Sequence, residues 1–304
     1  MNLKKYNYSR EAIILLVMHS LYTLGTALTS VFLNIFLWKL GNSVSINAAY
    51  NLIAFGTMVF ACILGGRLTK KFGKVTVYRI GICLISLFFA SILILKQNVI
   101  DYYHGIAVLH GIGLALYWMG HALITYDVTT EDNRMKYISI SFVINTTLSI
   151  IGPSLAGNII VNQNEMKGYY IIFMAALTLF FITALGSLWL NNKSKNEKFL
   201  LKYMGLLMKK NPNWFVVLIG WFIIGLLHGL MYFLTDILLF RSLGKEDYVG
   251  YMSMTLLIIS VITSFIMSYN TKQNAQKNYI YTSSIGYAII SLLLIFWSNN
   301  IVII

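Results

Sequence analysis

"GGRLTKKFGK", residues Gly65 to Lys74, sets four cations between two long apolar runs, Ile46 to Gly66 before it and Tyr78 to Leu95 after it. A helix needs about 20 predominantly apolar residues to cross the hydrocarbon of a bilayer, and each flank is of that length. The stretch therefore reads as a cationic turn between two membrane spans. Outward from it the pattern repeats, with apolar runs at Ala12 to Leu37, Tyr102 to Ile124, Ile138 to Val161, Tyr169 to Leu190, Trp214 to Phe240, Val249 to Tyr269 and Tyr279 to Trp297. Hydrophobic residues make up 58% of the chain and charged ones 11%, against roughly 25% charged in soluble domains. An all-α integral membrane protein of nine spans is expected, with the start of a tenth in "SNNIVII".

A formal charge of +13 would point to nucleic acid in a soluble chain, so the placement of the cations decides what it means. With the N-terminus inside, eighteen of the 23 Lys and Arg fall on the inner side and five (Lys39, Lys96, Lys167, Arg241, Lys245) on the outer. That bias fixes orientation by the positive-inside rule and excludes a nucleic-acid footprint. The basic start "MNLKKYNYSREAIILL" lacks a small-residue cleavage site, so the first span is expected to stay. Cys62 and Cys83 lie inside spans and indicate neither a disulfide framework nor a metal site; no metal and no cofactor is expected.

The longest polar interruption, residues 191–213, divides six spans from three. Lys198, Lys202 and Lys209 share one helical face there, which reads as a helix on the inner membrane surface or as a solvated basic linker. At an offset of 202 residues the two sides of this linker echo one another. "FLNIFLWKLG" from Phe32 answers "FLTDILLFRSLG" from Phe233; Asn34 matches Asp236, Trp38 matches Phe240, and Thr26 matches His228. Span 7 thus repeats span 1, as when two halves are related by an axis along the membrane normal.

Gly66, Leu68, Lys71, Gly73 and Lys74 of the opening stretch resemble, at matching spacing, the loop between the second and third spans of the major facilitator superfamily. There the glycines permit a tight turn and close helix approach, and the basic residues hold the loop at the anionic membrane face. The family's acidic position is Lys70 here, a charge reversal that puts in question the latch this acid provides between the family's two halves. Gly152, Pro153 and Gly157 in "GPSLAG" are similar to the end of the superfamily's Gly-Pro helix-kink motif, and "TTEDNRMK" carries the acid-then-Arg pattern in Glu131 and Arg134. Span 4 departs from the proton-coupled drug-exporter motif, with Ala107 and His110 at its arginine and glutamine positions. The resemblance implies a major-facilitator-type helical bundle: a six-span half at residues 1–190, the linker, and an incomplete second half at 214–304. The family core has twelve spans, so the chain is expected to be a portion of a longer protein, the alternative being a naturally short second half.

Polar side chains inside a bilayer are costly and face the bundle interior or a water-filled cavity. His19, Thr23, Thr26 and Ser30 share a face of span 1, with Asn34 at its edge; His110, Tyr117 and His121 share one on span 4; His228, Tyr232, Thr235 and Asp236 share a broader one on span 7. The resemblance implies that these three spans line the central cavity. Asp236, His110, His121 and His228 are the candidates for taking up and releasing a proton. His19, Thr23, Thr26, Asn34, Tyr117 and Tyr232 are candidates for the substrate cavity, with Tyr22 and Trp118 as further aromatic lining. Each also has a plainer reading: intramembrane histidines often pack, Ser and Thr bond their own helix, and Asp236 lies near a helix end.

The expected function is secondary transport of a small molecule across a bacterial cytoplasmic membrane by alternating access, coupled to a proton or other ion, with export weakly indicated by the Gly-Pro motif. A membrane-embedded enzyme is disfavoured: no H-E-x-x-H arrangement and no Gly-flanked serine motif is present. A non-transporting fragment, or a structural partner of another membrane protein, is the remaining alternative.

Overall fold

The computed structural model describes residues 8–163, 166–191 and 213–268, with isolated positions at 206, 209–211, 278, 281–286 and 288–289. Much of the ninth expected span and most of the linker, including Lys198 and Lys202, lie outside the described residues. Among the described residues there are eight long helices: α1 Arg10–Gly41, α2 Val44–Phe72, α3 Lys74–Leu95, α4 Tyr103–Val128, α5 Glu131–Val161, α6 Lys167–Gly186, α7 Asn213–Leu243 and α8 Glu246–Ser268. Among the described residues there is no strand, and α1 to α6 are long and apolar enough to cross a membrane.

Most helices outrun the apolar run that announced them, because polar and charged residues at the ends carry the last turns. The opening stretch is an instance. It reads as a loop, yet α2 continues through Phe72 and the turn consists of Gly73 alone, at φ 87°, with its N–H donating to the Thr69 carbonyl at 2.9 Å. Glycine reaches that conformation without steric cost. Gly66 and Leu68 lie in the last turns of α2, Lys70 and Lys71 are near its end, and Lys74 opens α3 and pairs with Asp127 of α4 at 2.9 Å. At the start of α5, the Thr130 N–H donates to Asn133 Oδ1 at 2.8 Å, one arm of a capping box. Arg79 of α3 donates to the carbonyls of Ser187, Leu188 and Leu190, filling acceptors that the end of α6 leaves open.

The helices α3 and α4 pack together, as do α2 and α4; α1 lies against α5 and α6, and α8 lies against α5. A core of Phe32, Phe36, Phe88, Tyr169, Phe173 and Phe180 fills the space between α1, α3 and α6. Two ends of the bundle can be distinguished: the amino side, with residue 10 and the α2–α3 and α4–α5 turns, and the far side, with the α1–α2, α5–α6 and α7–α8 turns.

The echo at 202 residues recurs in the helix ends. Helix α1 stops at Gly41 and α7 at Leu243, while α2 starts at Val44 and α8 at Glu246. Equivalent side chains also meet. Asn34 Nδ2 donates to Asp236 Oδ2 at 3.1 Å, and the rings of Trp38 and Phe240 contact edge to face at 5.8 Å. Residues related by a two-fold rotation touch each other only beside the axis, and these two contacts are what a local two-fold between α1 and α7 would give.

Candidate functional site

Helices α1 to α5, α7 and α8 line a partly open cavity of about 590 Å³. Its wall is mostly apolar and aromatic. Asp236 is the one acid and His110 the one histidine among the described lining residues; the other polar groups are hydroxyls, among them Thr26, Ser30, Ser149, Thr235 and Ser253. Tyr232, one helical turn before Asp236, lies edge-on to Phe55 of α2 at 5.6 Å.

Asp236 is tied into a buried chain of amides. Asn34 bridges it to α2, accepting on Oδ1 from Asn51 Nδ2 at 3.1 Å, and Asn51 also donates to the Asn47 carbonyl at 2.9 Å. Asn47, with its amide turned to satisfy both atoms, donates to the Asn34 carbonyl and accepts from the Trp38 N–H. All three asparagines are buried. Desolvated amides are tolerable only when bonded, so this chain fixes α1, α2 and α7 relative to one another. Asp236 makes no ion pair among the described residues. It lies seven residues inside the end of α7, bonded to a buried amide, which favours an interior role over that of a hydrated helix end.

The remaining candidates divide into two groups. His110 is on the cavity wall, its Nδ1 2.7 Å from Tyr50 Oη and its ring stacked on Phe88 at 4.1 Å. His19, Tyr117 and His121 form a separate cluster between α1 and α4, toward the amino side. His19 Nδ1 lies 2.6 Å from Tyr117 Oη, the two imidazoles stack at 4.0 Å, and Tyr22 stacks on Tyr117 at 3.7 Å. Thr23 donates to the His19 carbonyl and to Asn145 Oδ1 of α5, and Thr26 bonds its own helix while lining the cavity. The side chain of His228 lies outside the described residues. Gly152, Pro153 and Gly157 form the seam of α5 with α1 and α8. A Cβ on Gly152 would come within 2.4 Å of Ala27 Cβ, and one on Gly157 within 2.5 Å of the Glu246 carbonyl oxygen.

Sequence reasoning missed the far-side closure. Lys39 of α1 pairs with Glu246 at the start of α8, and Tyr169 of α6 donates to the same carboxylate at 2.9 Å. Tyr251 of α8 donates to Asn158 of α5 at 3.0 Å. With Asn34–Asp236 and Trp38–Phe240, these contacts tie α7 and α8 to the first six helices. They lie toward the far side. On the amino side, α7 is exposed at residues 213–219 and 222–224. Asn47, Tyr50 and Asn51 were also missed, although two asparagines four apart on an apolar run share one helical face.

A helical membrane bundle with a cavity among its helices, contacts between the echoed positions of α1 and α7, and a carboxylate on the cavity wall defines the class. The chain belongs to the Major Facilitator Superfamily, which it matches over residues 15–304. It is 27% identical over 272 residues to "Uncharacterized protein YqgE" of Bacillus subtilis (strain 168), covering 90% of this chain and 63% of that protein. It is 30% identical over 171 residues to "Uncharacterized protein in sodM 3'region" of Geobacillus stearothermophilus, covering 56% of this chain and 80% of that one. The chain thus spans less than two thirds of the length of the Bacillus subtilis relative.

Proposed function

We propose that this protein is a secondary transporter that moves a small molecule across the bacterial cytoplasmic membrane by alternating access, with its amino side facing the cytoplasm. In this reading residues 1–190 and those from 214 onward are parts of two halves joined by a basic linker, and they rock about the cavity. The observation that carries the reading is the cavity itself. It lies where α1 meets its sequence echo α7, holds Asp236 on its wall and is bounded toward the far side by the Asn34–Asp236 and Lys39–Glu246 contacts.

Asp236 is the coupling residue of choice, taking up and releasing a proton as the cavity changes sides, and Asn34 is the partner from which it parts. His110 stands on the same wall as a second titratable group. Efflux is the direction favoured by the Gly-Pro segment, which here forms the seam between α5 and α8. The test is flux driven by a pH gradient in proteoliposomes. Asp236→Asn should abolish it while leaving insertion and yield intact; undiminished flux would sink the coupling role.

A further inference from the structure

Resting on that transporter reading, we propose that the cavity takes an apolar organic monocation, held with its charge against Asp236 and its apolar groups against the surrounding rings. The wall is selective by sign. Asp236 is its one acid, and no Lys or Arg is found on it among the described residues. Lys39, a cation toward the far side, is occupied by Glu246, and its ammonium also lies over the Phe240 ring at 4.8 Å. An anion in this space would face Asp236 with no cation to offset it. A cation would complete a charge that burial otherwise leaves costly.

The rest of the wall fits the same ligand. Tyr232 stands one turn from Asp236 on α7, and with Phe55 and Trp118 it keeps more than a third of its surface open. Electron-rich ring faces attract cations, and the attraction strengthens when water is excluded. Of the Ser and Thr hydroxyls on the wall, those of Thr26 and Thr29 are already bonded to their own helix backbone, and most of the remaining wall is apolar or aromatic. A lipophilic cation needs one counter-charge and a ring-lined space, and this wall supplies both. Cation and proton then occupy Asp236 in turn. The charged and titratable groups around it are His110 of α4 and Tyr22 of α1 on the cavity wall, Tyr232 on its own helix and the Lys39–Glu246 pair toward the far side.

The experiment uses two ions of one shape and opposite sign. Binding of tetraphenylphosphonium and of tetraphenylborate to the full-length protein in nanodiscs is measured by equilibrium dialysis and corrected against empty nanodiscs. Saturable binding of the cation alone is expected. It should weaken at least about tenfold in Asp236→Asn and be retained in Asp236→Glu, which guards against loss of fold. Trp118→Ala or Tyr232→Ala should weaken it by about fivefold. Equal binding of the borate, absence of specific cation binding, or full affinity in Asp236→Asn would overturn the proposal. Flux of the cation is scored separately in proteoliposomes. Specific binding without flux would defeat the transporter reading and leave the ligand class standing.

Discussion

Helix α1 carries two polar stretches that do different work. Its far-side stretch, Asn34 to Lys39, reaches across to α7 and α8 through Asp236, Phe240 and Glu246. Its amino-side stretch, His19 to Thr23, bonds only inward, to Tyr117 of α4 and Asn145 of α5. If the two halves rock, every contact of the first kind must break and re-form once per cycle, while those of the second move as part of a rigid body. Polarity within a membrane helix therefore has two meanings, and the partner's place in the chain tells them apart.

The sharpest way to break this comparison is to exchange the echoed residues Asn34 and Asp236. Asn34→Asp alone places two carboxylates at hydrogen-bond distance, where both cannot stay ionised; loss of coupled flux by two orders of magnitude or more is expected. The double exchange, Asn34→Asp with Asp236→Asn, returns one acid and one amide to the same bond with their helices swapped. It should recover flux to within about tenfold of the original. If the double variant is as dead as the single ones, the two sites are not interchangeable and the echo carries no functional weight.

Next in size is the far-side ion pair. Glu246 is nearly buried and Lys39 only partly so, with side chains 10% and 28% exposed. Breaking the pair should favour opening by roughly 1 to 2 kcal/mol, after discounting for solvent around Lys39. A cysteine placed at Ser30 on the cavity wall, with Cys62 and Cys83 replaced, reports this as labelling by an impermeant maleimide added from the far side. Glu246→Gln should speed that labelling by roughly 5- to 30-fold. An unchanged rate would mean that the pair decorates the interface without holding it. The hydroxyl of Tyr169 can still donate to the amide oxygen that Glu246→Gln introduces, so Tyr169→Phe should add to the effect.

These residues differ in how readable they are. The spans were legible because hydrocarbon imposes a length and a composition, and Asp236 because one carboxylate in an apolar run demands a reason. The echo at 202 residues was legible too, and it aligned Asn34 with Asp236 and Trp38 with Phe240 before the structure brought them together. Lys39–Glu246 could not be read, since both sit at span ends where charge is ordinary and their meeting depends on how distant helices cross. Stripes on α1 and α4 were visible separately, but nothing in either says that His19 stacks on His121. The asparagines of α2, Asn47 and Asn51, carry a signal in their four-residue spacing, which puts both on one helical face.

The smallest effects belong to the amino-side cluster, and they test the other half of the comparison. His19 and Tyr117 satisfy each other in a buried contact at 2.6 Å. His19→Phe leaves the tyrosine hydroxyl without that partner and should cost about 1 to 3 kcal/mol, read as a lower thermal midpoint in nanodiscs. His121 differs, because its Nε2 is buried with no hydrogen-bond partner among the described residues. Replacing it by phenylalanine removes an unsatisfied polar atom and keeps a ring to stack on His19 at its 4.0 Å spacing. His121→Phe should therefore hold the midpoint within about 0.5 kcal/mol or raise it, with pH-driven flux within about twofold of the original. A stable His121→Phe protein that has lost coupling would shift the proton's path from Asp236 to this imidazole, and the inward-bonded stretch of α1 would then belong to the transport machinery after all.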